Sequence, residues 1–403
     1  MTVETEYAPD APGTLSDIRV LDLSRLVAGN AVTHVMADHG AEVIKIERPG
    51  AGDDLRNWKT KGVSLHWKVY CRNKKSVTLD LRTPRGREIL LDMAAGAQVL
   101  VENFKPGTIE RWGIGPKELH ARNPGLVIVR VSGWGQTGMW AHKPGFGSLV
   151  EAMSGFAAMN GFGDRPPVLP PLALADMIAG LWGAFATMVA IRAAESGGPG
   201  QVIDLPLFEP IHAVLGPMAA QYRMTGENPP RTGSRSTQTA PRGVYETKDG
   251  RFVALSGSMQ AMAERFFRAI GRDEFIDDPR FATNSDRVAN NDALDPIVAD
   301  FMARHSQDEL LQIFEAADVT VGPVADIDQL MDHPYIQDRA VLVDLPDPDV
   351  GRLPMPNVVP RMSATPAAIR TPAPELGQHN AEVLGGLGLS AEALAKLAEE
   401  GVI

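Results

Sequence analysis

Between Leu172 and Ile191 the chain reads LALADMIAGLWGAFATMVAI, twenty residues in which Asp176 is the one charged side chain. A carboxylate in apolar surroundings needs a reason, because burying an unpaired charge is expensive. Pro166, Pro167, Pro170 and Pro171 precede the run, so Asp176 falls in the first turn of a helix, where the dipole favours the ionised form. A carboxylate held this way can act as a base or as a nucleophile. The alternative is a capping or salt-bridged aspartate of a core helix.

Basic residues form three groups beside expected strands: Lys45 with Arg48, then Arg72, Lys74 and Lys75, then Lys105 with Arg111. Gathered at loops of one sheet they could hold a phosphorylated ligand; the other reading is ordinary solvated charge. A phosphate-bearing carrier together with a sequestered carboxylate suggests a nucleotide-linked substrate whose acyl group reaches Asp176. Other chemistries find less support. His34 and Asp38 are four apart and His39 follows, but no third ligand has metal spacing. There is no G-x-S-x-G elbow, and Cys71 has no evident histidine partner. GWGQTG at 133–138 spells a dinucleotide fingerprint, yet Pro144 blocks the helix that should follow it.

The elements that must position these groups follow from hydrophobic periodicity. The Asp176 run could span a bilayer by length, but a central aspartate would cost roughly 2.5–3.5 kcal/mol or more, and the flanks alternate strands with helices. A buried core helix is the better account, with Gly180, Gly183, Ala184 and Thr187 as a small-residue face on which another backbone could lie close. IRVLDL, EVIKIE, SVTLDL, QVLVEN, LVIVRVS and QVIDLP read as strands separated by amphipathic helices. That pattern implies a mostly parallel sheet covered on both faces, an α/β domain of the doubly wound kind. Residues 1–17 read as a flexible arm, 18–224 as the first part of the large domain and 225–242 as a polar linker. Residues 243–335 read as a smaller α+β domain, and 336–403 lead back out of it to two terminal helices.

Composition agrees with a soluble protein: 44% hydrophobic and 22% charged residues, with a net charge of −11. An acidic chain is expected to bind neither nucleic acid nor an anionic membrane. The single cysteine excludes internal disulfides and fits a reducing, cytoplasmic setting.

Taken in order, RLVAGN, ADHGAEVIKIERPGAGDDLR, RNKKSVTLDL, VENFKPG, SGWGQTG, LALADMIAG, GQVIDLPLFE and ELGQHNAEVLGGLGLS resemble the family III CoA-transferases over about residues 18–403. The resemblance implies a homodimer of interlocked ring-like chains, each with a Rossmann-like large domain built from both ends of the chain and a smaller α+β domain inserted between, that uses coenzyme A thioesters and no metal. It implies that Asp176 is the nucleophile. The carboxylate would attack a donor acyl-CoA to give a mixed anhydride, and the returning thiolate would form an aspartyl-CoA thioester for the acceptor acid to open. It also implies coenzyme A contacts at Arg48, Tyr70, Arg72, Asn73, Lys75, Asn103, Phe104, Lys105 and Arg111.

The sequence departs from the family pattern in places. Asn30 stands where proline is usual, Val27 replaces a glutamine of the formyl-CoA enzymes, and their glycine-rich loop has no counterpart in SRSTQTAP; formyl or oxalyl transfer is therefore disfavoured. The related α-methylacyl-CoA racemases pair the matching aspartate with a histidine. Phe146 fills that position here and cannot exchange a proton, which disfavours racemisation. A non-catalytic CoA-binding subunit is the third reading. Arg223, Arg235 and Arg242 are candidates to meet a second carboxylate of a dicarboxylic substrate.

Overall fold

The computed structural model describes residues 2–403. Its central sheet is built from β2 (Arg19–Asp22), β3 (Glu42–Glu47), β4 (Lys74–Thr78), β5 (Val99–Glu102), β6 (Val127–Ser132) and β7 (Val202–Pro206). All five pairings in it are parallel, and the spatial order is β4-β3-β2-β5-β6-β7. Strand order reverses between β2 and β5, the position at which open α/β sheets bind ligands. Strands β3, β5 and β6 are buried almost throughout, as expected of a sheet covered on both faces.

Two helical layers cover it. The helices are α1 (Ala28–Asp38), α2 (Leu65–Tyr70), α3 (Pro84–Ala95), α4 (Thr108–Arg111), α5 (Pro116–Arg122), α6 (Gly147–Met153), α7 (Phe156–Met159), α8 (Leu174–Glu195) and α9 (Phe208–Ala213). One core lies between the sheet and α1 and α8, and includes Val20, Val32, Val101, Val129 and Ala179. The other, with Leu21, Ile44, Leu90, Leu100 and Ile128, lies beneath α3 and the C-terminal helices Asn380–Gly385 and Ala391–Glu399. Thus both ends of the chain serve one domain.

Residues 1–157, 169–220 and 335–403 form this first compact unit, and 158–168 with 221–334 form a second. The second holds a hairpin, β8 (Arg242–Glu246) and β9 (Phe252–Ser256), joined at its edge by β10 (Val321–Pro323). Phe266, Phe267, Phe281 and Phe314 form the centre of its core.

Two expectations about the connecting segments are corrected. The N-terminal arm is anchored, because β1 (Val3–Glu4) pairs in parallel with β11 (Leu342–Asp347), itself antiparallel to β12 (Gly351–Pro356). Ala8 N–H also donates to the Ile369 carbonyl. The 225–242 segment is no free linker either: Thr232 bridges to Phe162, and Arg231 donates to the carbonyls of Ala158, Phe162 and Arg165.

The apolar helix also differs from expectation. Its small-residue face does admit a neighbour: a β-carbon on Gly180 would stand 2.4 Å from that of Ala31, and one on Gly183 would stand 2.7 Å from Val32. The opposite face is open, with Leu181, Trp182, Phe185 and Val189 between 49% and 65% exposed. A helix packed on one side of a sheet buries one stripe, however apolar the rest is.

Candidate active site

Asp176 is the third residue of α8. Ala173, at the N-cap, offers no side-chain acceptor to the first turn. The missing acceptor comes from α6, where Glu151 Oε1 takes the Ala175 N–H at 3.0 Å. Glu151 is 2% exposed, so two carboxyl groups meet at the start of α8. Gly147, in the first turn of α6, leaves the space for them: a β-carbon there would fall 2.3 Å from Asp176 Oδ2 and 3.9 Å from Glu151 Oε1.

Burial raises the Asp176 carboxyl most, the Glu151 charge raises it further, and backbone donors at Asp176 and Ala28 oppose them; the net is a push up to about 6. The sequence suggested that the helix dipole would hold this group anionic. The dipole is outweighed, because an apolar surround and a second carboxylate act on the same group. At pH 7 Asp176 is still ionised, by a margin of about one pH unit. A half-buried carboxylate of this kind can act chemically as a base or as a nucleophile. Tyr70, half-buried on α2, senses the same charge, which adds to burial in raising its phenol.

A cleft of about 330 Å³ opens at the carboxyl ends of β2, β3, β4 and β5, across the switch point. Arg48 and Lys105 stand exposed in its wall, and Phe104 lines it with its ring edge-on to Trp112 at 5.1 Å. Arg111 reaches Thr108, another lining residue, at 3.0 Å. Asn103 acts on the wall itself: its amide accepts from Arg25 N at 2.8 Å and donates to Arg25 O at 2.7 Å. That clamp turns Arg25, which the sequence did not single out, into the cleft.

Three of the expected contacts lie elsewhere. Arg72 is 1% exposed and grips Asp38 at 3.1 and 2.6 Å and the Pro356 carbonyl at 2.6 Å. Asn73, at a φ of +63°, donates to Asp38 and the Ala368 carbonyl and accepts from Arg370 and Thr371, fastening the returning chain. Lys75 bridges Glu42 and Glu382 at 2.7 Å each, at the amino edge of the sheet and so opposite the cleft. All three side chains are engaged by distant parts of the same chain.

Lys45 and Lys74 are likewise buried, meeting Asp22 at 3.2 and 3.1 Å, with Asp53 3.0 Å from Lys45. Asn30, in the position where proline was expected, ties this group together. It donates to Asp53 and the Leu26 carbonyl and accepts from Lys74 at 2.9 Å. Cys71 Sγ reaches it at 3.6 Å, and burial pushes that thiol up to about 12. His34 lies 3.7 Å from Asp38, whose carboxylate is already held by Arg72. In the second unit Arg235 is engaged by Asp292 and Asp295, whereas Arg223 and Arg242 are exposed.

Comparison with known proteins bears on this arrangement. The family described as CoA-transferase family III matches residues 15–380. The chain is 40% identical to a succinyl-CoA:D-citramalate CoA-transferase of Chloroflexus aurantiacus over 97% of its own length and 98% of that protein. It is 31% identical to human succinyl-CoA:glutarate CoA-transferase over 96% and 90%. The crystal structure of a CAIB/BAIF family protein from Brucella suis superposes with a TM-score of 0.83 at 30% identity, covering 93% of this chain and 99% of that one. With its parallel sheet, its cleft at the switch point and this likeness over nearly its whole length, the chain belongs to the family III CoA-transferases, and it is an enzyme of CoA transfer.

Proposed function

We propose that the enzyme moves coenzyme A from a dicarboxylyl-CoA such as succinyl-CoA to a dicarboxylic acid, through covalent intermediates on Asp176. The observation that carries this reading is the Asp176 carboxylate itself, half-buried at the start of α8 with Gly147 leaving it space and the buried Glu151 beside it. In the first step an oxygen lone pair of Asp176 forms a bond to the thioester carbonyl carbon. The C–S bond breaks, and coenzyme A leaves as the thiolate. The thiolate then attacks the aspartyl carbonyl of the anhydride, releasing the donor acid and leaving an aspartyl-CoA thioester. The acceptor carboxylate reverses these events: it forms a new anhydride with Asp176, and the thiolate returns to the acceptor's carbonyl. Every bond formed is matched by one broken, and no net proton is consumed.

The dicarboxylate class is supported by the substrates in the names of the relatives, succinyl, citramalyl and glutaryl groups alike. Coenzyme A is assigned to the cleft with Arg48, Lys105 and Arg111 as partners for its phosphates and Phe104 and Trp112 as apolar walls, and Tyr70 is kept as a contact near the reacting end. The open face of α8, with Leu181, Trp182, Phe185 and Val189, supports a homodimer, since apolar faces of this kind are commonly covered by another chain. Against proton-exchange isomerisation stands Phe146, which is 63% exposed beside Gly147 and has no titrating group to offer.

The test is incubation with succinyl-CoA and hydroxylamine followed by peptide mass spectrometry. A hydroxamate at Asp176, absent from Asp176→Asn, supports the mechanism; transfer activity retained by Asp176→Asn refutes it. Deuterium uptake at the α-carbon without an acceptor acid would favour the isomerase instead.

A further inference from the structure

We infer that Glu151 is a positioning residue for the nucleophile, fixing the first turn of α8 and pressing a second negative charge against Asp176 until acylation removes the repulsion. This rests on the covalent role of Asp176 proposed above. Three observations carry it. Glu151 belongs to a different helix, yet its Oε1 supplies the cap that the sequence before Leu174 lacks, at 3.0 Å from Ala175 N. It is 2% exposed, so neither water nor salt screens it well. Gly147 leaves the two carboxyl groups without a side chain between them.

The other groups around Asp176 do not cancel that charge. From α1 it meets the Ala28 backbone, and from α2 the neutral phenol of Tyr70. Among titratable groups on the other elements packed against α8, His212 on α9 is bonded to the Ser154 carbonyl. Arg130 on β6 is paired with Glu102 and Glu110, and Asp204 on β7 accepts from Gln136 N. When Asp176 becomes an anhydride or a thioester it is neutral, so the repulsion is present in the reactant and absent from the product of each acylation. An interaction of that kind lowers the barrier, whereas one that is constant throughout does not.

The experiment uses the full-length enzyme, Glu151→Gln and Glu151→Asp. Each is mixed with succinyl-CoA without acceptor and acid-quenched between pH 5 and 9, and the CoA adduct on Asp176 is followed by mass spectrometry. In the parent the adduct rate is expected to rise through an acid limb near pH 6, where the Asp176 carboxyl ionises. Glu151→Gln keeps an acceptor for Ala175 N but not the charge; its limb is expected to fall by about one pH unit and its plateau by roughly three- to tenfold. A folded Glu151→Gln enzyme with the parent's limb and plateau overturns the inference. If that variant does not fold, Glu151→Asp decides: its withdrawn charge must move the limb down by a smaller step, and an unmoved limb overturns the inference. A parent enzyme that forms no adduct at Asp176 refutes the covalent mechanism, a separate failure.

Discussion

A β-carbon on Gly147 would stand 2.3 Å from Oδ2 of Asp176, so the carboxylate occupies space that any other residue would fill. Alanine there suits the backbone, since Gly147 does not lie among the positive-φ glycines, while turning the Asp176 carboxylate away from the orientation that the proposed attack needs. A displacement of about 1 Å at a reacting group can cost on the order of a hundredfold. Gly147→Ala is therefore expected to melt at or above the parent temperature and to lose about two orders of magnitude in kcat. Steady-state kinetics beside a thermal melt checks both; full kcat would show that the close approach has no role.

Asp176 also weakens the fold that carries it. Its folded-state value of about 6 lies above that of an unfolded aspartate, so between roughly pH 4 and 6 the folded state binds more protons than the unfolded chain. Stability from this group is therefore highest below that window and falls as pH rises through it. Asp176→Asn removes the fall. Discounted for partial exposure, the variant should gain about 1–2 kcal/mol over the parent at pH 8 and little at pH 4. Urea denaturation at the two pH values measures the difference, and an equal gain at both would show that charge is not its source.

Much of this architecture is legible in one sequence because its signals are local. EVIKIE coincides with β3 from Glu42 to Glu47, because β-branched Val43, Ile44 and Ile46 carry the strand signal even though the buried Lys45 interrupts the apolar run. Asp176 stands out for a similarly local reason, as the lone charge in the apolar run 172–191. The destinations of the basic residues are different. The partners of Arg72 and Lys75 lie 34 and 307 positions away, at Asp38 and Glu382, and no periodicity encodes such pairings. Glu151 escaped notice because its partner is a backbone N–H on another helix. The half-open state of α8 was hidden too, because composition does not tell a core helix from one awaiting a partner.

The two kinds of arginine and lysine can be told apart by experiment. Lys105 stands exposed at the cleft, and its ammonium pairs with no carboxylate among the described residues. Lys105→Ala should raise the KM for succinyl-CoA by about tenfold, the value of one charge-assisted phosphate contact, with the melting temperature unchanged. Arg72→Ala leaves Asp38 buried without its guanidinium, and breaking such a pair costs about 3–5 kcal/mol. Its KM should not change in whatever enzyme still folds. The reverse pattern, a KM effect at Arg72 and a stability effect at Lys105, would mean that coenzyme A lies elsewhere.

Asp22 presents the sharpest case of charge used for structure, since one buried carboxylate faces both Lys45 and Lys74 and accepts from Ser24 and Thr33 at 2.6 Å each. The two lysines outweigh its burial and hold its carboxyl far below the usual carboxylate range. The stabilisation is therefore complete above the unfolded aspartate value, about 4, and is lost as pH falls from there toward the depressed folded value. Asp22→Asn keeps the shape but leaves two buried ammonium groups with one fewer anion. It should cost about 3–5 kcal/mol at pH 7, and the variant's remaining stability should fall less steeply below pH 4 than the parent's. Guanidinium unfolding at pH 7 and at a series of acid pH values measures both effects. A variant as stable as the parent at pH 7 would mean that Asp53 alone neutralises the two lysines, and that the contacts of Asp22 contribute nothing beyond filling space.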